Sequence, residues 1–497
     1  MKRTLLMMVL FFIFVGLIFA GGKKEAEPKA EIPEAEEMTT EVTGSPKSGG
    51  VLTVAIEAEP SLMDPHLNQS NLVTSLLDIS YDFLWRWDRD FNEFVPHVAE
   101  SWEWVDNTHF RIELREGVKF HNGREVVADD VKYSIERVKD PATGSPAAVF
   151  LEPIVNVRVN DKYSLTIELE EPWFGLQDKL AREVAIVPQE EVVKYGDLKT
   201  NIIGCGPFKF VSWEPGLGMK FEKFEDYWDE DKPYLDGINL RFMPEYNTAK
   251  NALLSGEVDV INWPDSADID SLKANDDLKL HYYNVNAIMY VCINTQEEPI
   301  NNKKVRQAIA LATNREAYND ALYRGMGTLS WTPIPQTQPY YKNSWEYERN
   351  IAKAKALLAE AGYPDGFDIR ILALQGAEEI MGEVLQADLA AIGIDGEITI
   401  AEIPIALDAI FNKQDFDLAV LGDVVSPDPD LFVSKYLVPN GTAAGATGRW
   451  DNRRVRELVT QGRKTLDMDE RVDVYREIYD IVMDEVPMVY LVWPVRH

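Results

Sequence analysis

The stretch from Ala99 to Arg137, AESWEWVDNTHFRIELREGVKFHNGREVVADDVKYSIER, constrains the fold more than any other part of the chain. Trp102 and Trp104 alternate with polar neighbours, as do Phe110, Ile112 and Leu114, and the turn pair Asp106-Asn107 lies between the two runs. A period of two around a turn predicts a β-hairpin with one apolar face. Glu116-Gly117 and Asn122-Gly123 turn the chain again, on either side of a short predicted strand, Val118-Lys119-Phe120. A helix is predicted from about Ala128, with Val131, Ser134, Ile135 and Val138 on one face. Asp129 and Asp130 sit in its first turn, where the helix dipole favours anions. Nothing in this stretch is chemically reactive, and by residue chemistry alone it is scaffold.

The rest of the chain narrows the function classes. A net charge of −33 argues against a nucleic-acid partner, because phosphate binding needs basic patches. Two cysteines, Cys205 and Cys292, exclude a disulfide-built fold and a multi-cysteine zinc site, leaving one bridge or two buried thiols. The six histidines do not pair at metal-ligand spacing, so no metal is expected. There is no GxSxG, no GxGxxG and no GxxxxGK[ST] run, so neither a nucleophile context nor a cofactor loop is indicated. Lys2 and Arg3, the apolar run Leu5–Phe19 and Ala20-Gly21-Gly22 read as a signal peptide over 1–22. Residues 23–46 are rich in Glu, Lys, Ala, Pro and Thr and are expected to form a disordered tether. Further on, helices are predicted at about 73–84, 267–273 and 350–361, and a strand–helix–strand unit over 367–374, 380–392 and 394–400.

The order of parts between Ala99 and Arg137 resembles the signature of the peptide/nickel class of ABC-importer solute-binding proteins, extracellular solute-binding protein family 5. That signature carries A-E-S-W-E, L-R-x-G-V-K-F-H-x-G and A-x-D-V-x-x-S-x-x-R, and all three stand here in order. Met63-Asp64-Pro65 resembles its L-D-P run, and Ile203–Phe208 its I-G-T-G-P-Y run with Cys205 in place of threonine. Phe224–Trp228 resembles N-x-x-Y-W, Ala252–Asp259 resembles A-L-x-S-G-E-x-D, and Asp467, Arg471 and Tyr475 occupy D-x-x-x-R-x-x-x-Y. The resemblance implies an α/β bilobal periplasmic-binding-protein fold of the Venus-flytrap type, with an extra domain and lobes joined by crossing strands. It places domain I at 47–69, 198–283 and 487–497, domain II at 70–197 and domain III at 284–486. By the same resemblance, a terminal edge strand of the first lobe is expected to be missing after His497.

By the same resemblance the protein is no enzyme, uses no cofactor, and is an exported, monomeric, periplasmic or extracytoplasmic binder that delivers its solute to ABC permease transmembrane subunits. A chemoreceptor partner and, further off, a secreted hydrolase are the alternatives. No lipoprotein cysteine precedes Cys205; glycines occupy that place. The ligand-binding residues implied are Gln69, Ser70 and Asn71 in the loop after the L-D-P run, with Trp263, Asn286, Gln375, Gly422 and Asp423. The loop at Gln69 is alternatively a helix cap, and Trp263 alternatively core. Peptide-binding relatives hold the ligand amine with an aspartate after a G-W pair, where this chain reads Val424-Val425-Ser426. Dipeptide binders use an arginine where this chain reads Gln375–Glu379. An unpaired buried charge is costly, so a zwitterionic dipeptide is disfavoured, and the solute is expected to be an oligosaccharide or an oligopeptide. The mature protein is expected to partition into the aqueous phase of a detergent extraction; recovery in the detergent phase with the first segment attached would show that the apolar run is kept as an anchor.

Overall fold

The structure, a computed structural model, describes residues 46–68, 70–88, 93–262 and 264–496. The signal-peptide expectation and nearly all of the tether lie outside these residues. Among the described residues the chain forms three larger sheets and two short ribbons.

The first sheet runs, in spatial order, Val260–Ile261, Val51–Ile56, Gly237–Phe242, Gly218–Lys223 and Phe208–Glu214. Val51–Ile56 pairs in parallel with both of its neighbours, and the remaining pairs are antiparallel. The second is an antiparallel meander-like sheet, Ala99–Asp106, His109–Leu114, Ser164–Leu169 and Ile154–Val159. Its hairpin sets Trp102 opposite Ile112 and Trp104 opposite Phe110, the one-sided apolar register that the alternation predicts. The third sheet runs Thr328–Leu329, Met488–Trp493, Ala287–Ile293, Leu418–Val424, Asp368–Leu374 and Asp395–Ala401. Its central strand is buried on both faces: Ile288, Tyr290 and Cys292 enter one core, and Met289, Val291 and Ile293 the other.

Three expectations need correction. Residues 488–493, assigned to the first lobe, lie inside the third sheet, where Val489 and Met488 pair with Val291 and Cys292; six consecutive buried residues, MVYLVW, suit an interior strand covered on both faces. The helix expected at 73–84 spans only Asn71–Leu77, because Tyr81, Phe83, Leu84 and Trp85 are all buried, which one helical face could not achieve. The short strand at 118–120 is reduced to a single bridge, Lys119 with Glu125. Of the two alternatives left for the cysteines, the structure shows two buried thiols: Cys205 and Cys292 are unbridged and sit in different cores.

The polar residues of the family signature build buried joints. Arg137 at the end of the helix Ala128–Lys139 donates to both oxygens of Asp64, at 2.9 and 2.6 Å, and both residues are buried. Asp64 also accepts from the backbone N–H groups of His66 and Leu198. Burial raises the Asp64 carboxyl, but these donors and the Arg137 charge outweigh it and hold its pKa below the ordinary value. Arg137 donates to Nδ1 of His66, so Nε2 carries the proton to the Ala185 carbonyl at 2.9 Å. Asp82, wholly buried, accepts from the Tyr227 hydroxyl at 3.0 Å and the Trp228 indole at 2.9 Å, which accounts for the Y-W pair.

His121 of the V-K-F-H run donates from Nε2 to the Gly206 carbonyl at 3.0 Å. It reads a crossover that only glycine allows, since a Cβ at Gly206 would lie 2.5 Å from the Ser80 carbonyl carbon. Burial, joined at His66 by the Arg137 charge, pushes the imidazoles of His66 and His121 down to about 4. Unfolded, each titrates near 6.5. Between those values the unfolded chain binds protons that the folded chain refuses, so stability falls as pH drops from about 6.5 to 4. The depressed carboxylates act lower, below their ordinary range. Urea unfolding at pH 4.5 should therefore show roughly 2–3 kcal/mol less stability per imidazole than at pH 7.5; equal free energies at the two pH values would refute it.

Candidate functional site

Strands of the third sheet bring their ends together at one edge. Leu418–Val424 and Asp368–Leu374 run parallel and finish side by side, and antiparallel Ala287–Ile293 begins there. Ligands of open α/β sheets lie outside such carboxyl ends. Gly422 stands opposite Met289 and Asp423 opposite Ile288; a Cβ on Gly422 would meet the Met289 sulfur at 2.5 Å. The Val425 N–H donates to the Asn286 carbonyl at 2.8 Å, tying the loop after the strand to its neighbour. Gln375 closes Asp368–Leu374 with its N–H on the Ala401 carbonyl, and it is exposed.

Asp423 has an asymmetric environment. Lys435 Nζ, at 2.6 Å, and the Tyr436 hydroxyl both donate to Oδ2, while Oδ1 has no protein partner among the described residues. Burial and then the Asp423 charge push the Tyr436 phenol well above its ordinary pKa, so it stays a donor. It in turn accepts from the Tyr290 hydroxyl at 3.0 Å. An ionised carboxylate only accepts, so the free oxygen is available to a ligand N–H or O–H.

Asp423 lines a cavity of about 860 Å³ between this loop region and the second sheet's unit. Trp173, Lys179 and Arg182 line it from one side, and Asp423, Ser426 and Lys435 from the other. Direct contacts cross beside it. The Ser426 hydroxyl donates to Asp178 Oδ1 at 2.9 Å, and the Phe174 N–H to the Arg463 carbonyl at 2.9 Å. The Phe174 ring lies 3.9 Å from the guanidinium of Arg471. Arg471 is wholly buried and donates to Asp428 at 2.6 Å and to the Gly462 carbonyl at 3.1 Å. Burial works against its charge, yet Asp428 holds it above the ordinary arginine value. The Tyr475 hydroxyl donates to Asp430 at 2.9 Å, and Asp467 caps the helix Met468–Glu485. The D-x-x-x-R-x-x-x-Y run thus supports the Asp428-Pro429-Asp430 loop from beneath.

Of the residues implied by sequence, Asp423 is on the cavity wall, while Asn286, Gly422 and Gln375 flank it without lining it. Ser70 precedes the helix Asn71–Leu77 with its N–H on the Asn68 side chain. Gln69, Trp263 and the side chain of Asn71 lie outside the described residues. Sequence reasoning missed Trp173, Lys179, Arg182 and Ser426. A pointer existed for Lys179, which falls three residues after Leu176 and next to Leu180, on the apolar stripe of the helix Leu176–Glu183. No cluster of three potential metal ligands occurs among the described residues.

Residues 93–444 match the bacterial extracellular solute-binding proteins, family 5 Middle. The chain belongs to this family. It is similar to the oligopeptide-binding protein AppA of Bacillus subtilis (strain 168), with 28% identity over 100% of this chain and 94% of that protein. It is similar also to the dipeptide-binding protein of Escherichia coli (strain K12), with 27% identity over 88% of each. Among solved structures, the periplasmic binding protein AgaA in complex with agropinic acid, from A. tumefacien R10, superposes with a TM-score of 0.72 at 30% identity, over 90% of this chain and 92% of that one. The chain is thus an α/β binding protein of the ABC-importer class, working outside the cytoplasm and not an enzyme. Arg471→Met should cost about 3–5 kcal/mol of stability, because it leaves the Asp428 carboxylate buried without its cation; a thermal melt within error of the parent would refute that account of the loop.

Proposed function

We propose that this chain captures oligopeptides outside the cytoplasmic membrane and delivers them to the transmembrane subunits of an ABC permease. The carrying observation is the free Asp423 oxygen on the wall of the cavity of about 860 Å³. That volume is within the range of ligand pockets, and a few placed polar groups suffice to orient a ligand in it. The peptide-binding names of the Bacillus and Escherichia relatives support the same class. Asp423 takes a peptide N–H or ammonium, Asn286, Gly422 and Gln375 stand beside this wall without lining it, and Gln69, Ser70, Asn71 and Trp263 are the further ligand contacts that this reading assigns. The lobes are 47–69 with 198–283, 70–197, and 284–493, and closure on the ligand follows from tighter binding to the closed arrangement.

An oligosaccharide is the second reading, favoured by Phe150 and Trp173 on the same cavity; aromatic faces offer large area to a sugar ring at little entropic cost. Calorimetry against an oligopeptide library and di- to hexasaccharides separates the two. Peptides should bind, and Asp423→Asn should weaken them by about 1.5–3 kcal/mol, the range for a hydrogen bond to a charged group. Binding by sugars with none by peptides would replace the first reading with the second.

A further inference from the structure

The helix Leu176–Glu183 presents cations to the cavity whose binding capacity is not filled. Lys179 is only 6% exposed, yet it lines the cavity, and no acceptor among the described residues lies within hydrogen-bond distance of its ammonium. Its nearest carboxylate oxygens, Asp178 Oδ2 and Glu183 Oε1, are each 4.0 Å away, and the Phe150 ring centre is at 4.3 Å. At that range charge is balanced but no donor is satisfied. Asp178 Oδ2 is itself buried without a hydrogen-bond partner. Arg182, one turn on, lines the same cavity, is exposed and has no carboxylate at ion-pair distance among the described residues. The other cations on the wall differ: Lys435 is paired with Asp423, Arg463 with Asp430 and Arg456 with Asp451.

We propose that Lys179 and Arg182 form a carboxylate-binding subsite, so that the captured solute carries a carboxylate at this wall while another part of it reaches Asp423. The proposal rests on the solute-binding reading above and adds the chemistry of the ligand. The Lys179 ammonium opens on the cavity with donors that no acceptor among the described residues takes, and an incoming oxyanion fills them. Arg182 supplies the planar pair of donors that matches a carboxylate. Asp178 and Glu183 beside Lys179 favour a singly charged group over a dianionic phosphate, which they would repel.

Native mass spectrometry of the intact protein with matched pools tests this. One pair of pools is tetrapeptides as C-terminal acids and the same peptides as C-terminal amides; the other is oligogalacturonides and neutral galactose oligomers. A carboxylate-bearing pool should be retained about tenfold or more over its neutral counterpart, and Arg182→Gln and Lys179→Met should each lower that retention about tenfold. Because Lys179→Met removes a cation between two carboxylates, the exposed Arg182→Gln and the unmutated protein suffice if that variant misfolds. Equal retention of acids and amides removes the subsite and keeps the peptide reading. Retention of oligogalacturonides over neutral oligomers, with no peptide bound, keeps the subsite and removes the peptide reading. Retention of no carboxylate pool above its counterpart, or retention indifferent to both variants, overturns the subsite.

Discussion

The bidentate pair between Asp64 and Arg137 is the joint on which the arrangement of the first two sheets depends. Near Asp64 the chain leaves the first sheet, and near Leu198 it comes back; the single Asp64 carboxylate accepts from the backbone of Leu198 on the return and from Arg137 in the unit between. The Met63 N–H on the Lys199 carbonyl closes the same seam from the backbone side. A buried ion pair of this kind contributes little net stability against an apolar replacement, because desolvation offsets most of the attraction. Its value is geometric: any other pairing would strand a charge in the core.

Local pattern was readable where the physics is local. The hairpin of Trp102 and Phe110, the apolar face of Ala128–Lys139 and the strand–helix–strand unit at 368–401 all follow from periodicity and turn residues. The purpose of the signature's polar residues was not readable, since each partner is distant in sequence. Arg137 needs Asp64, Tyr227 and Trp228 need Asp82, and His121 needs the Gly204–Gly206 crossover. Residues 488–493 were misplaced for a related reason: a fully apolar strand announces that it is covered on both faces but not by which sheet.

The signature that made the family recognisable is made of wall-building residues, and this explains why the ligand was harder to read. Arg471, Tyr475 and Asp428 shape the loop around Ser426 without facing the cavity, whereas Asp423–Ser426, which do line it, lie in a run where this chain departs from the family pattern. Fold and solute chemistry are therefore encoded in different residues. Lys179 illustrates the gap. Its position on an apolar stripe looks like a packing anomaly until the cavity beside it is known.

The sheet orders carry a further meaning for how the chain comes into being. The strands of the second sheet are contiguous in sequence, from Ala99 to Leu169, so that unit holds all its partners early in synthesis. The first sheet is different: Val51–Ile56 has no partner strand until Gly237–Phe242 emerges. The third is more extreme, since Ala287–Ile293 lies between Leu418–Val424 and Met488–Trp493 and lacks a neighbour on one side until the latter is made. Pairings of such long sequence separation form slowly, because loop closure must precede the contacts that reward it. Synthesis therefore completes the middle unit first, makes the first sheet closable once Val260–Ile261 has emerged, and supplies the third sheet's interior strand Met488–Trp493 much later.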